Sequence, residues 1–224
     1  LVQAELHYRK ALAAMRLEYS LFNEDMVASD LAENLAMQGR LNEAEALSRN
    51  AVKHNTERHD KFTARSLSQL SRILYEQAHY EDAQYLAHWA ITILIDSCAD
   101  ADSVALNSAR HAKARALIGL GKWDDALYEF DKIREAMSEV PTLFESRFGA
   151  DTDWGIALLK TGRAKQAENM FSAAYDITKS RLGPGHYQSG EMLGLLSTAQ
   201  ASRGDAKTAL SNFSKAVNIV FSGT

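Results

Sequence analysis

The sequence repeats itself with a period near 40 residues, and this repetition limits the chain to a small set of folds. When the repeats are aligned, a small residue followed seven positions later by another small or apolar residue recurs at the same place six times. The leading residues of these pairs are 40, 39, 43, 41 and 42 positions apart, and they are Ala4, Ala44, Ala83, Ala126, Ala167 and Ala209. A fixed period of this length is typical of proteins in which similar supersecondary units stack on one another.

Each repeat predicts two helices joined by a tight turn. Five positions before every leading alanine except the first stands a glycine or an alanine, namely Gly39, Ala78, Gly121, Gly162 and Gly204. Glycine adopts the left-handed conformation that ends a helix at little steric cost. Upstream of the turn, apolar residues such as Leu70 and Leu74 recur at helical spacing. The repeat therefore predicts antiparallel helix pairs in which small residues let the two backbones approach closely.

Composition supports an all-α fold. The chain of 224 residues contains only two prolines, and 46% of its residues are hydrophobic while 24% are charged. A β-sandwich would need turn residues at short intervals, and a disordered chain would be less apolar. We predict about eleven helices, with the first helices of the five full repeats near residues 25–38, 61–77, 102–120, 142–161 and 187–203.

The order of residues in each repeat resembles the tetratricopeptide repeat (TPR). Residues 31–45, with a period nearer 41 than 34, are similar to the longer repeats of kinesin light chains, and residues 182–186 resemble the loop that links those repeats. The resemblance implies a right-handed superhelical solenoid of antiparallel helix pairs. It also implies a concave groove, lined by the first helices, that serves protein–protein interaction.

The repeats predict a single solenoid over residues 1–224. Its units are a half unit at 1–19 and full units at 24–58, 60–98, 102–139, 142–182 and 185–221. Neither end carries a polar capping repeat, so a fragment of a longer protein is expected. Long repeats ending in a segment like residues 204–210 resemble those that precede a caspase-like peptidase domain of the CHAT type in bacterial proteins. That resemblance leaves open a second function, a regulatory sensor arm of an enzyme whose catalytic domain lies outside this chain.

Motifs for catalysis and metal binding are absent from the sequence. There is no Gly-x-Ser-x-Gly elbow, no glycine-rich phosphate loop and no His-Glu-x-x-His pair, and Cys98 is the single cysteine. We therefore expect no enzyme activity and no cofactor. The net charge of -4 gives no general affinity for nucleic acid, and the longest apolar stretch, residues 90–95, is too short to cross a membrane. A cytoplasmic location is favoured.

The resemblance places the residues 18, 15, 11 and 8 positions before each leading alanine on the concave wall. In two neighbouring repeats these positions hold a basic patch with an apolar margin, predicted as the peptide-binding site: Arg65, Arg72, Tyr75, His111, Arg115 and Ile118. Guanidinium groups bind carboxylates through two parallel hydrogen bonds, which favours a protein or peptide partner of acidic character. The alternative is that the arginines pair with acidic residues on adjacent helices or remain solvated. The sequence leaves both open.

Overall fold

A computed structural model of the chain describes residues 1–17, 21–57 and 62–222, and every regular element within these ranges is a helix. The predicted unit boundaries at residues 19, 58 and 60, and the predicted helix start at residue 61, lie outside the described residues. The twelve helices are α1 (Val2–Leu17), α2 (Leu21–Met37), α3 (Leu41–Glu57), α4 (Thr63–Glu76), α5 (Tyr80–Asp96), α6 (Val104–Gly119), α7 (Trp123–Ala136), α8 (Pro141–Phe148), α9 (Thr152–Lys160), α10 (Ala164–Leu182), α11 (Tyr187–Ser202) and α12 (Ala206–Ser222).

The chain forms two compact units, Leu1–Gly121 with α1 to α6 and Lys122–Thr224 with α7 to α12. In the first unit each helix packs against the next, and α4 also packs against α6. In the second unit α9 packs against α7 and α10, α10 against α11, and α11 against α12. The prediction of an all-α, TPR-like array of helix pairs is confirmed.

The turns between paired helices have the predicted left-handed residue. Gly39 has a φ of 77°, and the peptide N–H of Arg40 donates to the carbonyl of Leu35 over 3.0 Å, which closes the end of α2. Ala78 occupies the same place after α4 with a φ of 62°, and His79 donates to Leu74 in the same way. The hydrogen bonds to the last carbonyl groups of α4 thus hold Ala78 in a left-handed conformation that is usually occupied by glycine.

The leading alanines lie at buried positions of the second helices. Ala44, Ala83, Ala126 and Ala167 have no exposed surface, and Ala209 is also buried. The residues seven positions later are buried as well: Ala51, Ala90, Ile133, Ala174 and Ala216. The spacing read from the sequence therefore marks the contact face of each second helix, as predicted.

One predicted helix is wrong. The segment 142–161 was expected to form a single helix, but α8 ends at Phe148 and α9 begins at Thr152. The side chain of Asp151 accepts a hydrogen bond of 2.8 Å from the backbone N–H of Trp154, which caps the new helix. Glycine at position 149 disfavours a continuous helix, and aspartate at an N-cap favours a new start. Because of this interruption, the described part of the chain contains twelve helices, and the expected number was about eleven.

Ala44→Trp is expected to lower the free energy of unfolding by about 1–3 kcal/mol or more, because the indole cannot fit between two helices in contact. Ala46 on the same helix is exposed, so Ala46→Trp is the matched control and should change stability by less than about 0.5 kcal/mol. Urea unfolding followed by circular dichroism measures both. Equal effects of the two substitutions would contradict the assignment of the contact face.

A charged cluster ties α1 to the turn after α2. The carboxylate of Glu5 accepts hydrogen bonds from Arg9 at 2.8 Å, from Gln38 at 3.1 Å and from Arg40 at 2.8 Å. The same guanidinium of Arg40 also donates to Glu43 at 2.6 Å. The hydrogen bonds from Arg9, Gln38 and Arg40 lower the pKa of Glu5 from 4.5 to about 2.

Because the pKa of Glu5 is lower in the folded chain than in the unfolded chain, its stabilising contribution is present above pH 4.5 and is lost as the pH falls towards about 2. Glu5→Gln should therefore destabilise the protein at neutral pH, and the difference from the wild type should shrink on acidification. Free energies of unfolding measured from pH 7 to pH 2 test this, with Glu81→Gln, an exposed glutamate of α5, as the control. A difference that does not vary with pH would refute the assigned role of Glu5.

Candidate functional site

Three first helices of the first unit, α2, α4 and α6, surround a cavity of about 260 Å³. We call it the α2/α4/α6 cavity. All of the lining residues stand 7, 8, 10, 11 or 14 positions before the leading alanine of their repeat, so the helical period places these side chains on one wall. The lining residues are Glu33, Ala36, Met37, Gln69, Arg72, Ile73, Glu76 and Arg115.

Ion pairs join the three helices across the α2/α4/α6 cavity. Arg72 on α4 donates through Nη2 to Oε1 of Glu33 on α2 at 2.9 Å. Arg115 on α6 donates through Nη2 to Oε1 of Glu76 on α4 at 3.0 Å. The lining thus contains two guanidinium groups and two carboxylates, and its formal charges cancel.

The two arginines have different surroundings. The Arg72 side chain is 47% exposed, whereas that of Arg115 is 18% exposed. The guanidinium carbon of Arg115 lies 4.2 Å from the centre of the Tyr75 ring, a distance at which cation and aromatic ring attract. Arg115 is therefore held in place by a ring and a carboxylate together, while Arg72 extends further into solvent.

Of the six residues predicted for the site, two line the α2/α4/α6 cavity. Arg72 and Arg115 do so, and Tyr75 adjoins it through its contact with Arg115. Arg65 lies elsewhere on α4 and pairs with Asp30 of α2 at 3.3 Å. His111 on α6 is half-buried and does not line this cavity, and Ile118 is only 8% exposed.

All three arginines form ion pairs with acidic residues on adjacent first helices: Arg65 with Asp30, Arg72 with Glu33 and Arg115 with Glu76. Binding of a peptide at these residues stays a prediction. Sequence reasoning placed Glu33 and Ala36 on the wall but missed Met37, Gln69, Ile73 and Glu76. Met37 and Glu76 both stand seven positions before a leading alanine. A wider set of offsets from the alanines would have found them, because positions 7 and 11 before the alanine are one helical turn apart.

An apolar floor complements the charged pairs. Ile73 is buried beneath the cavity, while Met37, which is 67% exposed, lies at its edge. Flexible methionine side chains adapt to differently shaped apolar groups. The arrangement can thus receive an apolar side chain next to a polar or charged one.

Within the described ranges, no group of three or more histidine, cysteine, aspartate or glutamate side chains could hold a metal ion. No helix in the same part of the chain is long and apolar enough to span a membrane.

Two family models of the tetratricopeptide repeat match the sequence, one over residues 147–220 and the other over residues 26–50. Among curated proteins, none matches the sequence significantly. The expectation of a peptidase domain outside this chain is not tested by these matches and stays a prediction.

Solved structures show the same fold at low sequence identity. BtubC (BKLC) from P. vanneervenii is 16% identical, with a TM-score of 0.69, over 97% of this chain and 89% of that chain. The kinesin light chain TPR-like repeats of Podosopora anserina are 16% identical, with a TM-score of 0.63, over 86% and 92%. The apo form of RapI is 19% identical, with a TM-score of 0.63, over 89% and 71%. The predicted likeness to tetratricopeptide repeats and to kinesin light chain repeats is confirmed in the fold.

A double-mutant cycle measures how strongly Arg72 and Glu33 interact. Both side chains are nearly half exposed, so the coupling free energy from Arg72→Ala, Glu33→Ala and the double variant should be about 0.2–1 kcal/mol. A control cycle combines Arg72→Ala with Glu43→Ala, whose carboxylate binds Arg40 instead, and should be additive within about 0.5 kcal/mol. A coupling well above about 1 kcal/mol would show that the pair is too strong for a ligand to replace.

Proposed function

We propose that the chain binds a peptide segment of a partner protein in the α2/α4/α6 cavity and has no catalysis of its own. The ground for this proposal is that its sequence matches models of the tetratricopeptide repeat, and such repeats form protein-interaction scaffolds. The observation that carries the proposal is the cavity itself. It places two guanidinium groups beside an apolar floor on three successive first helices of one compact unit.

The size of the cavity suits side chains of a peptide. Pockets for whole small molecules usually enclose about 300–1,000 Å³, and this one encloses about 260 Å³. Such a volume accommodates one or two side chains of an extended segment whose backbone runs over the opening. An apolar side chain would lie on Ile73 and Met37, with a polar neighbour at the ion pairs.

The polar neighbour we favour is a carboxylate. Arg72 uses one N–H in its hydrogen bond to Glu33, and a guanidinium group carries five N–H donors. Because ion pairs between exposed side chains contribute only about 0–1 kcal/mol, a ligand carboxylate can share or replace Glu33 at low cost. The peptide would therefore carry an acidic residue next to an apolar one.

Glu33 and Glu76 reduce the contribution of net positive charge to peptide binding. They neutralise the two arginines, so the cavity does not attract acidic chains in general. Affinity then depends on the fit of a single carboxylate and its apolar neighbour, and increasing salt should weaken binding only modestly.

Random peptides displayed on phage and selected on the protein supply a ligand, and calorimetry then measures its affinity. Arg72→Glu with Arg115→Glu should weaken binding about tenfold or more in total, because the double change removes both guanidinium groups and places two additional carboxylates beside the carboxylate of the ligand. Lys179→Glu with Arg181→Glu makes the same change of charge at exposed positions on α10 and should leave the affinity unchanged.

Selected peptides should share an acidic residue adjacent to an apolar one. Peptides that bind the Arg72→Glu, Arg115→Glu double variant as tightly as the wild type would refute binding at this cavity. Thermal melting of each variant shows whether the repeats remain folded, so that a loss of binding can be assigned to the site.

A further inference from the structure

Another cavity lies within the second unit, beside the break between α8 and α9. It encloses about 280 Å³ and is lined by side chains of α7, α8, α9 and α10. The α2/α4/α6 cavity belongs to the first unit, so the two cavities share no residue. We call this one the second-unit cavity, and its lining includes Arg134, Phe144, Glu145, Trp154, Leu158 and Met170.

Part of this lining is apolar and fixed in position. Trp154 is fully buried, and its ring stacks on Phe130 with 4.7 Å between ring centres. Phe144 meets the same indole at a right angle, at 5.8 Å. Leu158 is only 2% exposed, and Met170 is half-buried. A preformed apolar surface of this kind suits an aliphatic or aromatic group of a ligand.

The indole of Trp154 also carries an unpaired polar group. Its N–H has no hydrogen-bond partner among the described residues. A buried donor without an acceptor is unfavourable and uncommon in folded proteins. An occupant that brought an oxygen atom to this N–H would remove that cost.

Two side chains of opposite charge lie at the opening of the second-unit cavity. Arg134 is 46% exposed, and its guanidinium carbon lies 4.7 Å from the centre of the Trp154 ring. One of its N–H groups faces Asp131 at 3.3 Å, which leaves further donors of the guanidinium group for a ligand. Glu145 is exposed, and no cation in the described ranges pairs with its carboxylate.

Gly149 gives the Glu145 carboxylate its place at the cavity. Both residues belong to the lining, and a Cβ atom at position 149 would overlap with Oε2 of Glu145. A larger residue at this turn would therefore displace the carboxylate. The same glycine that disfavours a continuous helix thus leaves room for a negative charge at the opening.

We propose that the second-unit cavity binds a free α-amino acid with an apolar side chain. The side chain of the ligand lies on Trp154, Leu158 and Met170. Its carboxylate accepts hydrogen bonds from Arg134, and its ammonium group donates to Glu145. Charge complementarity selects this class of ligand, because an amino acid carries one group for each charged side chain at the opening.

The volume of the cavity agrees with a ligand of this size. Pockets for drug-sized molecules usually enclose about 300–1,000 Å³, and this one is slightly smaller. A single apolar side chain, with the two charged groups of its own α-carbon at the opening, is a smaller ligand than those. For so small a ligand we expect a dissociation constant of about 0.1–1 mM.

Titration of the full chain with L-leucine up to about 20 mM, followed by two-dimensional ¹H–¹⁵N NMR, tests the proposal. The indole N–H resonance of Trp154 should shift and saturate. Those of Trp89 and Trp123, which do not line the cavity, should stay in place, and Trp89→Phe and Trp123→Phe assign the three signals. Glycine has the same charges without the apolar group and should bind at least tenfold more weakly.

Modified ligands test each charged contact separately. L-leucinamide lacks the carboxylate, and N-acetyl-L-leucine lacks the ammonium group. Arg134→Gln should weaken the binding of L-leucine about two- to fivefold and leave that of L-leucinamide nearly unchanged. Glu145→Gln should weaken L-leucine by a similar factor and leave N-acetyl-L-leucine nearly unchanged. Glu135→Gln and Arg147→Gln, at exposed positions outside the lining, are the matched controls and should not alter the affinity.

Three results would overturn the proposal. The first is a Trp154 resonance that does not respond to L-leucine, and the second is glycine binding as tightly as L-leucine. The third is equal binding of N-acetyl-L-leucinamide, which represents a leucine within a peptide and would show that the cavity takes a side chain of a protein. If Arg134→Gln weakened all of the ligands equally, the assigned contact between Arg134 and the carboxylate would be wrong.

Discussion

Close contact between the two helices of a repeat, as between α2 and α3 or between α4 and α5, is the constraint on which the rest of the structure depends. Alanines with no exposed surface, such as Ala44 and Ala83, lie at that contact, and any larger side chain there would separate the helices. Close approach fixes the rotation of each helix about its axis, and therefore which residues it turns outwards. The wall formed by α2, α4 and α6 is a result of this fixed rotation. Arg72 and Arg115 meet in one cavity because α4 packs against both α2 and α6.

The sequence predicted the features that depend on local geometry. Helix pairs and turns follow from residues close together in the chain, such as Leu35, Gly39 and Ala44, so one repeat is enough to predict them. The turn at Ala78 has the same hydrogen bonds as the turn at Gly39, although alanine is less favourable than glycine in this conformation.

The features that the sequence did not predict depend either on competition between two local conformations or on contacts between side chains that are far apart in the sequence. The break between α8 and α9 results from a balance between continuing a helix through Gly149 and capping a new one with Asp151, and the apolar periodicity does not measure that balance. Glu76 was missed for a different reason. A helical period gives the face on which a side chain lies, but whether it reaches Arg115 on the next helix depends on rotamers and on the distance between helices.

The break at Gly149 to Asp151 also shows how independent the repeats are. It changes one first helix into two short ones, yet the alanines before and after it, Ala126 and Ala167, remain fully buried. Each repeat contacts mainly its neighbours, so an irregularity in one does not spread through the array. A lineage can therefore remodel the wall of a single repeat by a few substitutions while the others keep their shape, and new recognition can arise one repeat at a time.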